Sequence, residues 1–245
     1  MATFVLVHGA YHGAWCWDRL VPELEARGQR AVAVDLPGDD ARADLDDYAA
    51  VIVADIDAAV SGRPDDPVVL VGHSLGGLSI PVAASHPAVG RMVFLCSVPT
   101  GPGPAIEASM DQMVTPACLA APRFVDAAGR EVLDNASAAA LFFHDCPEPD
   151  RSWAVARLRP QGRRPFTEPS SLATWPEVAQ SVILTADDAV LPLSFAEGAA
   201  RARLGGADPV ILPGSHSPFV SRPGALADAL VAEAGRRQVE ARMRS

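Results

Sequence analysis

One serine has surroundings that favour nucleophilic chemistry. Ser74 stands at the centre of Gly72-His73-Ser74-Leu75-Gly76, a G-x-S-x-G pattern. The apolar residues 68–71 precede it and a helix-compatible run over 78–85 follows, so the pattern predicts a sharp turn from a strand into a helix. Such a turn strains the serine backbone and leaves no space for a Cβ on its glycine neighbours. The alternative is an ordinary tight turn with a capping serine.

A serine hydroxyl becomes a strong nucleophile only when a base removes its proton, and that base is in turn oriented by an acid. His216 is the candidate base, because it follows the last apolar run of the chain. The acid is expected after the preceding apolar run, 181–184, where Asp187 and Asp188 stand side by side. Spacing alone does not choose between these carboxylates. The unused one is expected to cap the loop.

Hydrolysis of an acyl compound also needs two N–H donors aimed at the oxygen that becomes negative. The residue after the serine, Leu75, supplies one amide, and the glycine-rich turn after the first strand supplies the other through Ala10. The alternative for this second turn is a plain glycine-rich loop. Its glycine spacing excludes a dinucleotide-binding fingerprint. His8, His12 and His73 lie near these turns and are expected to stabilise them or to line a pocket.

These residues can meet only if the loops that carry them share one edge of a sheet. Short apolar runs alternate with helical patterns, which predicts βαβ units and a mainly parallel sheet with helices on both faces. The six predicted strands cover residues 3–7, 31–35, 68–71, 92–97, 181–184 and 210–212. Because the carboxyl ends of parallel strands lie on the same edge, the serine, the histidine and an aspartate are expected to converge there.

The interval from residue 99 to about residue 164 departs from this alternation. It has no comparable strand but contains prolines and dispersed apolar residues, among them Phe124, Phe142 and Trp153. Structureless loops of this length are rare in compact domains. We therefore predict one domain over residues 1–245, with a helical lid inserted at about 99–164 that covers a cavity. The alternative is a pair of ordinary surface helices.

Composition narrows the class of function. The chain has 245 residues, of which 49% are hydrophobic and 20% charged, and this suits one globular domain. Every basic residue is an arginine, so mechanisms that need a lysine amine are excluded. A formal net charge of −10 disfavours nucleic acid and anionic membrane surfaces as partners.

The four cysteines, Cys16, Cys96, Cys118 and Cys146, form no pattern that is typical of a metal site. We expect reduced packing thiols and neither a metal nor another cofactor. No apolar segment is long enough to cross a bilayer, and no secretion signal precedes the first apolar run. The expected location is therefore the cytoplasm.

The segments described above resemble the α/β-hydrolases, and within that fold the plant methylesterase and hydroxynitrile lyase family and bacterial carboxylesterases of the pyrethroid-hydrolase kind. The resemblance covers nearly the whole chain, and the order serine, acid, histidine is the one that α/β-hydrolases use. In this family the catalytic aspartate lies four residues before a proline, which implies Asp188 rather than Asp187, because Pro192 follows. The segments that carry the resemblance are residues 4–10 with 13–15, 72–77, 186–188 with Pro192, and 214–216.

The same resemblance separates hydrolases from lyases. One lyase branch has a threonine where this chain has Gly9 and a lysine where it has Ser217, and another branch has an asparagine in the first loop. This chain has no lysine, and its one asparagine is Asn135, in the predicted lid. The resemblance therefore implies hydrolysis, with Gly9, His73 and Ser217 at substrate-binding positions.

We predict a metal-free serine hydrolase that cleaves small, mostly apolar carboxylic esters through an acyl-enzyme. Its expected partner is the small-molecule ester itself, and the sequence carries no signal about its oligomeric state. Two alternatives stay open. One is a thioesterase or C–C bond hydrolase of a biosynthetic pathway, and the other is a binding protein that uses the same fold to hold a small molecule without turning it over.

Overall fold

A parallel sheet with six strands forms the centre of the protein. The computed structural model describes residues 1–62 and 66–243, with side chains as far as Arg236. The strands are β1 (Thr3–Val7), β2 (Arg30–Val34), β3 (Val68–His73), β4 (Val89–Leu95), β5 (Arg123–Val125), β6 (Glu131–Leu133), β7 (Ala179–Thr185) and β8 (Val210–Leu212). The main sheet has the order β2-β1-β3-β4-β7-β8, and all of its neighbouring strands are parallel. The predicted six-stranded parallel sheet is confirmed.

Helices pack on both faces of this sheet, as predicted. They are α1 (Leu20–Ala26), α2 (Leu45–Val60), α3 (Gly76–Ala83), α4 (Met110–Met113), α5 (Pro116–Ala120), α6 (Asn135–Phe142), α7 (Asp150–Val155), α8 (Arg164–Thr167), α9 (Leu193–Arg203), α10 (Pro218–Ser221) and α11 (Pro223–Met243), with 3₁₀ turns at Ala14–Trp17 and Ile106–Ser109. Alternate residues of a strand point to opposite faces. Phe4 and Leu6 therefore pack with α1 and α11, whereas Val5 and Val7 pack with α2 and α3. Among the described helices, none combines the length and the apolar character that a membrane span requires.

Local sequence sets where α2 begins and which face it buries. The carboxylate of Asp44 accepts hydrogen bonds from two amides of the first turn, and the side chain of Asp47 accepts in return from the Asp44 amide. This reciprocal arrangement satisfies donors that a helix start otherwise leaves free. Tyr48, Ile52 and Ile56 recur every four residues and are buried against the sheet. The polar faces of the same turns point to solvent.

Strand β4 begins three residues before its predicted start. Gly90 and Arg91 interrupt the apolar run there, which hides the first residues of the strand from a search for apolar sequence. Arg91 is buried in the structure, and its guanidinium donates to the Ser181 hydroxyl on the neighbouring strand at 2.6 Å. A buried charge is tolerated in a sheet when such a partner satisfies it.

The chain between β4 and β7, residues 96–178, is here called the insertion. It contains α4 to α8, in line with a mainly helical segment. It also contains β5 and β6, a short antiparallel hairpin in which Phe124 pairs with Val132 and which the sequence did not predict. Each strand has three residues, and Phe124 is 59% exposed, so no alternating apolar pattern of useful length marks the hairpin.

Candidate active site

Ser74 lies at the turn between β3 and α3, in the strained conformation that its motif predicts. Its φ of 49° falls in the left-handed region, which a residue with a side chain rarely adopts. The turn is held by hydrogen bonds from the Ser74 amide to the Leu95 carbonyl at 3.0 Å and from the Ser97 hydroxyl to the Ser74 carbonyl at 2.8 Å. A Cβ on Gly76 would lie 2.6 Å from the His8 carbonyl oxygen, so only glycine fits there.

The two predicted oxyanion donors, Ala10 and Leu75, line the same cavity as Ser74. Gly9 brings the first loop close to the serine, since a Cβ at Gly9 would lie 2.9 Å from the Cβ of Ser74. Within the described part of the chain, the amides of Ala10 and Leu75 donate to no other protein group. In the described part of the chain, both amides therefore lack a protein acceptor, and both belong to residues that line the cavity.

His216 and Asp188 form a short, buried pair in the loops that follow β8 and β7. His216 Nδ1 and Asp188 Oδ2 are 2.7 Å apart, and the two side chains are 2% and 3% exposed. The other carboxylate oxygen accepts from the amides of Val190 at 2.8 Å and Leu191 at 2.9 Å. Because a carboxylate can only accept here, the ring proton lies on Nδ1 and the lone pair lies on Nε2. His216 lines the cavity together with Ser74.

Asp187, the other candidate acid, points elsewhere. Its amide donates to the Gly214 carbonyl at 3.1 Å, and its carboxylate accepts from the Gly214 amide at 3.3 Å. Its carbonyl oxygen lies 2.8 Å from Nε2 of His144. The structure therefore brings Asp188 against His216 and leaves Asp187 to tie the two loops together, which is the capping role expected for the unused carboxylate.

His73 and His12 are buried neutral rings beside this pair. His73 Nε2 donates to the His216 carbonyl oxygen at 2.9 Å, and the two rings are 4.8 Å apart. His12 Nδ1 donates to the Ala10 carbonyl oxygen at 2.7 Å. Burial holds the pKa of His73 well below its usual value and lowers the pKa of His12 to about 3. Both rings hold backbone in place and line the cavity, as predicted, and neither carries charge near neutral pH.

Gly9 and Ser217 are not in the cavity wall, although the resemblance placed them at substrate-binding positions. Gly9 lies behind the cavity against His73 and Ser74, where its missing side chain permits the close approach of the loop. Ser217 is fully buried at the start of α10. Of the three predicted substrate-binding residues, the structure places His73 alone in the wall.

Cys96 lies beside the pair of His216 and Asp188, and the sequence did not single it out as a residue of the site. All four cysteines are buried and free, as expected of packing thiols. The Cys96 thiol, however, lies 3.4 Å from the Thr185 hydroxyl and close to Asp188, and burial together with the Asp188 charge raises its pKa. Its left-handed backbone, with a φ of 45°, is a local strain that no sequence pattern indicated.

Cys96, Asp188 and His216 also offer the ligand types that bind zinc, with ligand atoms within 4.8 Å of one another. A metal ion there would have to displace the proton that His216 donates to Asp188, and the thiol would have to lose its own proton. The hydrogen bonds described above satisfy the pair without an ion. The arrangement therefore fits a proton path better than a metal centre.

The cavity above Ser74 has a volume of about 350 Å³ and is mainly apolar. Its charged lining residues are paired, Arg123 with Glu131 at 3.2 Å and Arg163 with Glu107 at 2.8 Å. Most of the residues that line the cavity belong to the insertion. The apolar residues that the insertion contributes are Val98, Ile106, Met110, Met113, Val114, Leu119, Phe142 and Phe166.

Comparison with known proteins shows the family of the chain. Residues 4–229 match the model of the Alpha/beta hydrolase family. The chain belongs to this family. A pyrethroid hydrolase from Sphingobium wenxiniae is 33% identical to it over 248 residues, which cover 94% of this chain and 86% of that protein.

Two further relatives extend the comparison to plant proteins and to solved structures. Methylesterase 3 from Arabidopsis thaliana is 49% identical over 84 residues, or 32% of each chain. The crystal structure of a polyneuridine aldehyde esterase superposes with a TM-score of 0.78 at 24% identity, over 96% of this chain and 99% of that one, and shows the same fold. The predicted α/β-hydrolase fold and the predicted resemblance to methylesterases and pyrethroid hydrolases are confirmed.

Replacement of Gly76 by alanine tests the tight turn at Ser74. The added Cβ would meet backbone oxygens of His8 and Val7 at 2.6 and 2.8 Å, and neither can move aside cheaply. We predict that G76A lowers the free energy of unfolding by about 1–3 kcal/mol, the usual range for overpacking, as measured by urea denaturation. The matched control is G198A in α9, where a Cβ meets nothing within 4 Å. It should stabilise the protein by about 0.5–1 kcal/mol, and equal effects of the two variants would contradict the account.

His12 should make the fold sensitive to acid. The folded protein keeps this ring neutral down to a pKa of about 3, whereas an unperturbed histidine binds a proton near pH 6.5. Acidification below that pH therefore favours the unfolded chain. We predict that the free energy of unfolding falls as the pH drops from about 6.5 to about 3, and that H12Q reduces this fall by up to about 1.4 kcal/mol per pH unit. Urea denaturation at several pH values measures how the free energy of unfolding changes with pH in the wild-type protein and in H12Q. Identical slopes for the two proteins would show that His12 is not the group responsible.

Proposed function

We propose that the protein is a serine hydrolase that cleaves small, mostly apolar carboxylic esters through an acyl-enzyme. One observation carries the proposal: the strained Ser74 lines a cavity together with two unused amides and with His216, which is paired with the buried Asp188. This is the set of groups that acyl transfer requires, namely a nucleophile, a base, an acid that orients the base, and an oxyanion hole. The names of the relatives, a pyrethroid hydrolase and a methylesterase, support ester hydrolysis.

The proposed reaction has two halves. Ser74 Oγ attacks the ester carbonyl while His216 Nε2 takes its proton, and the amides of Ala10 and Leu75 bind the oxyanion. The C–O bond to the alcohol then breaks, and His216 returns the proton to the leaving oxygen. In the second half His216 removes a proton from water, the resulting hydroxide attacks the acyl-enzyme, and the acid leaves as Ser74 regains its proton. Asp188 stays ionised throughout and stabilises the imidazolium.

The character of the cavity supports the proposed substrate class. Its wall is mainly apolar, and burial of apolar surface favours binding of an apolar ester by about 25 cal/mol per Å². The lining charges neutralise each other in the pairs of Arg123 with Glu131 and Arg163 with Glu107. A neutral substrate leaves those pairs intact, whereas a charged one would have to compete with them. Met110 and Met113 add adaptable side chains that accommodate different acyl or alcohol groups.

We also propose that the chain is one domain over residues 1–245, in which residues 99 to about 164, within the insertion, act as a lid. The insertion supplies most of the residues that line the cavity, and its removal would open the cavity to water. Four buried free thiols support a reducing compartment, and we propose the cytoplasm as the location. A thioesterase would use the same acyl chemistry, but no observation favours it. A protein that only binds a small molecule would not need a serine in a strained conformation.

Replacement of Ser74 by alanine tests the nucleophile. We predict Ser74-dependent turnover of p-nitrophenyl acetate and butyrate by the wild-type protein, and a loss of about 10³-fold or more in kcat for S74A. Release of p-nitrophenol measures the rate, and circular dichroism checks that the variant is folded. Turnover that S74A retains, or a wild-type protein without esterase activity, would refute the proposal.

The two neighbouring aspartates provide a matched pair of variants for the acid. Asp188→Asn leaves the shape of the site but allows the wrong tautomer of His216, so kcat should fall by about 10³- to 10⁴-fold. Asp187→Asn removes a carboxylate that faces Gly214 instead, and kcat should stay within about threefold of wild type. The same ester assay compares both variants. A larger loss for D187N than for D188N would reverse the assignment.

A further inference from the structure

The first loop, residues 9–13, is held by the insertion and not only by the sheet. Tyr11 follows the proposed oxyanion donor Ala10 and has a φ of 64°, which is unfavourable for a bulky residue. Its amide donates to Oε1 of Gln161, its carbonyl oxygen accepts from the Arg159 amide at 2.7 Å, and its hydroxyl donates to Glu131. All three polar groups of Tyr11 therefore bond to residues of the insertion.

Gln161 is built into this contact. It is 1% exposed, and its Oε1 accepts from the Tyr11 amide at 3.1 Å. Its Nε2 donates to the Gly162 carbonyl oxygen at 2.9 Å and lies 3.0 Å from the Tyr48 hydroxyl on α2. Because an amide N–H can only donate and a carbonyl oxygen can only accept, the orientation of the side-chain amide is unambiguous. One side chain thus links the first loop, the insertion and α2.

The neighbours of Gln161 reinforce the link. Its amide and carbonyl pair with those of Glu131 at 2.8 and 2.7 Å, so the two residues that bond Tyr11 also fix each other. The Arg159 guanidinium donates through Nε to the His12 carbonyl oxygen at 3.1 Å. The carbonyls of Tyr11 and His12 are therefore both held by Arg159, while Gln161 holds the Tyr11 amide. Each of these contacts holds a different backbone group of the strained loop next to Ala10, and Gln161 holds the Tyr11 amide.

We propose that Gln161 is a positioning residue for the oxyanion hole. By holding Tyr11 in the left-handed conformation, it aims the Ala10 amide at the place where the oxyanion forms. The role rests on the proposed esterase function and extends it, because it makes the insertion part of the catalytic geometry. An oxyanion donor acts only when it lies within hydrogen-bonding distance of the transition-state oxygen. A small displacement of the loop therefore weakens the binding of the transition state more than it weakens the binding of the ester.

Replacement of Gln161 by methionine is the direct test. Methionine keeps the approximate volume but offers no acceptor for the Tyr11 amide, so we expect kcat to fall by about 10- to 100-fold while KM stays within about twofold. The control is Y48F, which removes the hydroxyl on the other side of the same amide group and leaves the Tyr11 contact in place. Y48F should keep kcat within about twofold of wild type. Both variants are assayed with p-nitrophenyl butyrate, well below their unfolding temperatures.

Inhibition by an aryl trifluoromethyl ketone separates positioning from a merely structural role. The serine hydroxyl adds to this ketone and gives a tetrahedral adduct that carries an oxyanion. The Ki of the ketone should therefore rise in Q161M by the same factor as KM/kcat, and it should not change in Y48F. The shorter variant Q161N, which withdraws the acceptor by one methylene, should show the same signature with a smaller magnitude. It serves as the test if Q161M does not fold.

Three results would overturn the inference. In the first, the Gln161 variants and Y48F lower kcat equally. In the second, the Gln161 variants raise KM while kcat and the Ki of the ketone are unchanged. The third, a wild-type protein without Ser74-dependent turnover, would overturn the proposed function as well, whereas the first two leave it standing.

Discussion

The carboxylate of Asp188 is buried, and it accepts three hydrogen bonds, from the His216 ring and from the amides of Val190 and Leu191. A charge in such a place is stable only when each of its partners is in position. This requirement fixes the loop after β7, the tautomer of His216 and the approach of the loop after β8. The parallel pairing of Thr185 with Leu212 brings these two loops side by side at the carboxyl edge of the sheet. The proposed proton path therefore depends on a hydrogen-bonding constraint that the sheet topology makes possible.

The sequence predicted those parts of the site that depend on local rules. The G-x-S-x-G pattern fixes Ser74 because the glycine contacts it needs lie within one turn and the adjoining loop. Strands β1, β3 and β4 were found because a strand buried on both faces is continuously apolar. Spacing did not choose between Asp187 and Asp188, since adjacent residues point in different directions and only the fold decides which one meets His216. The resemblance to a known family supplied that choice, and the structure places Asp188 against the ring.

The contacts that the sequence could not predict are those between distant segments. Tyr11 and Gln161 are 150 positions apart, and no composition or periodicity links them. The hairpin of β5 and β6 escaped prediction because each strand is three residues long. It nevertheless presents Glu131 to Tyr11 and to Arg123. The insertion is thus more than a cover: through a few buried polar contacts it takes part in the geometry of the first loop.

The proposed nucleophile, base and oxyanion hole can all be tested by one crystal structure of the protein after reaction with a small fluorophosphonate. We predict one phosphorus bound to Ser74 Oγ, with its phosphoryl oxygen within hydrogen-bonding distance of the Ala10 and Leu75 amides and with His216 Nε2 facing the modified serine. His216 Nδ1 should still be bonded to Asp188. A protein that does not react, an adduct on a different residue, or a phosphoryl oxygen that faces away from both amides would contradict this prediction.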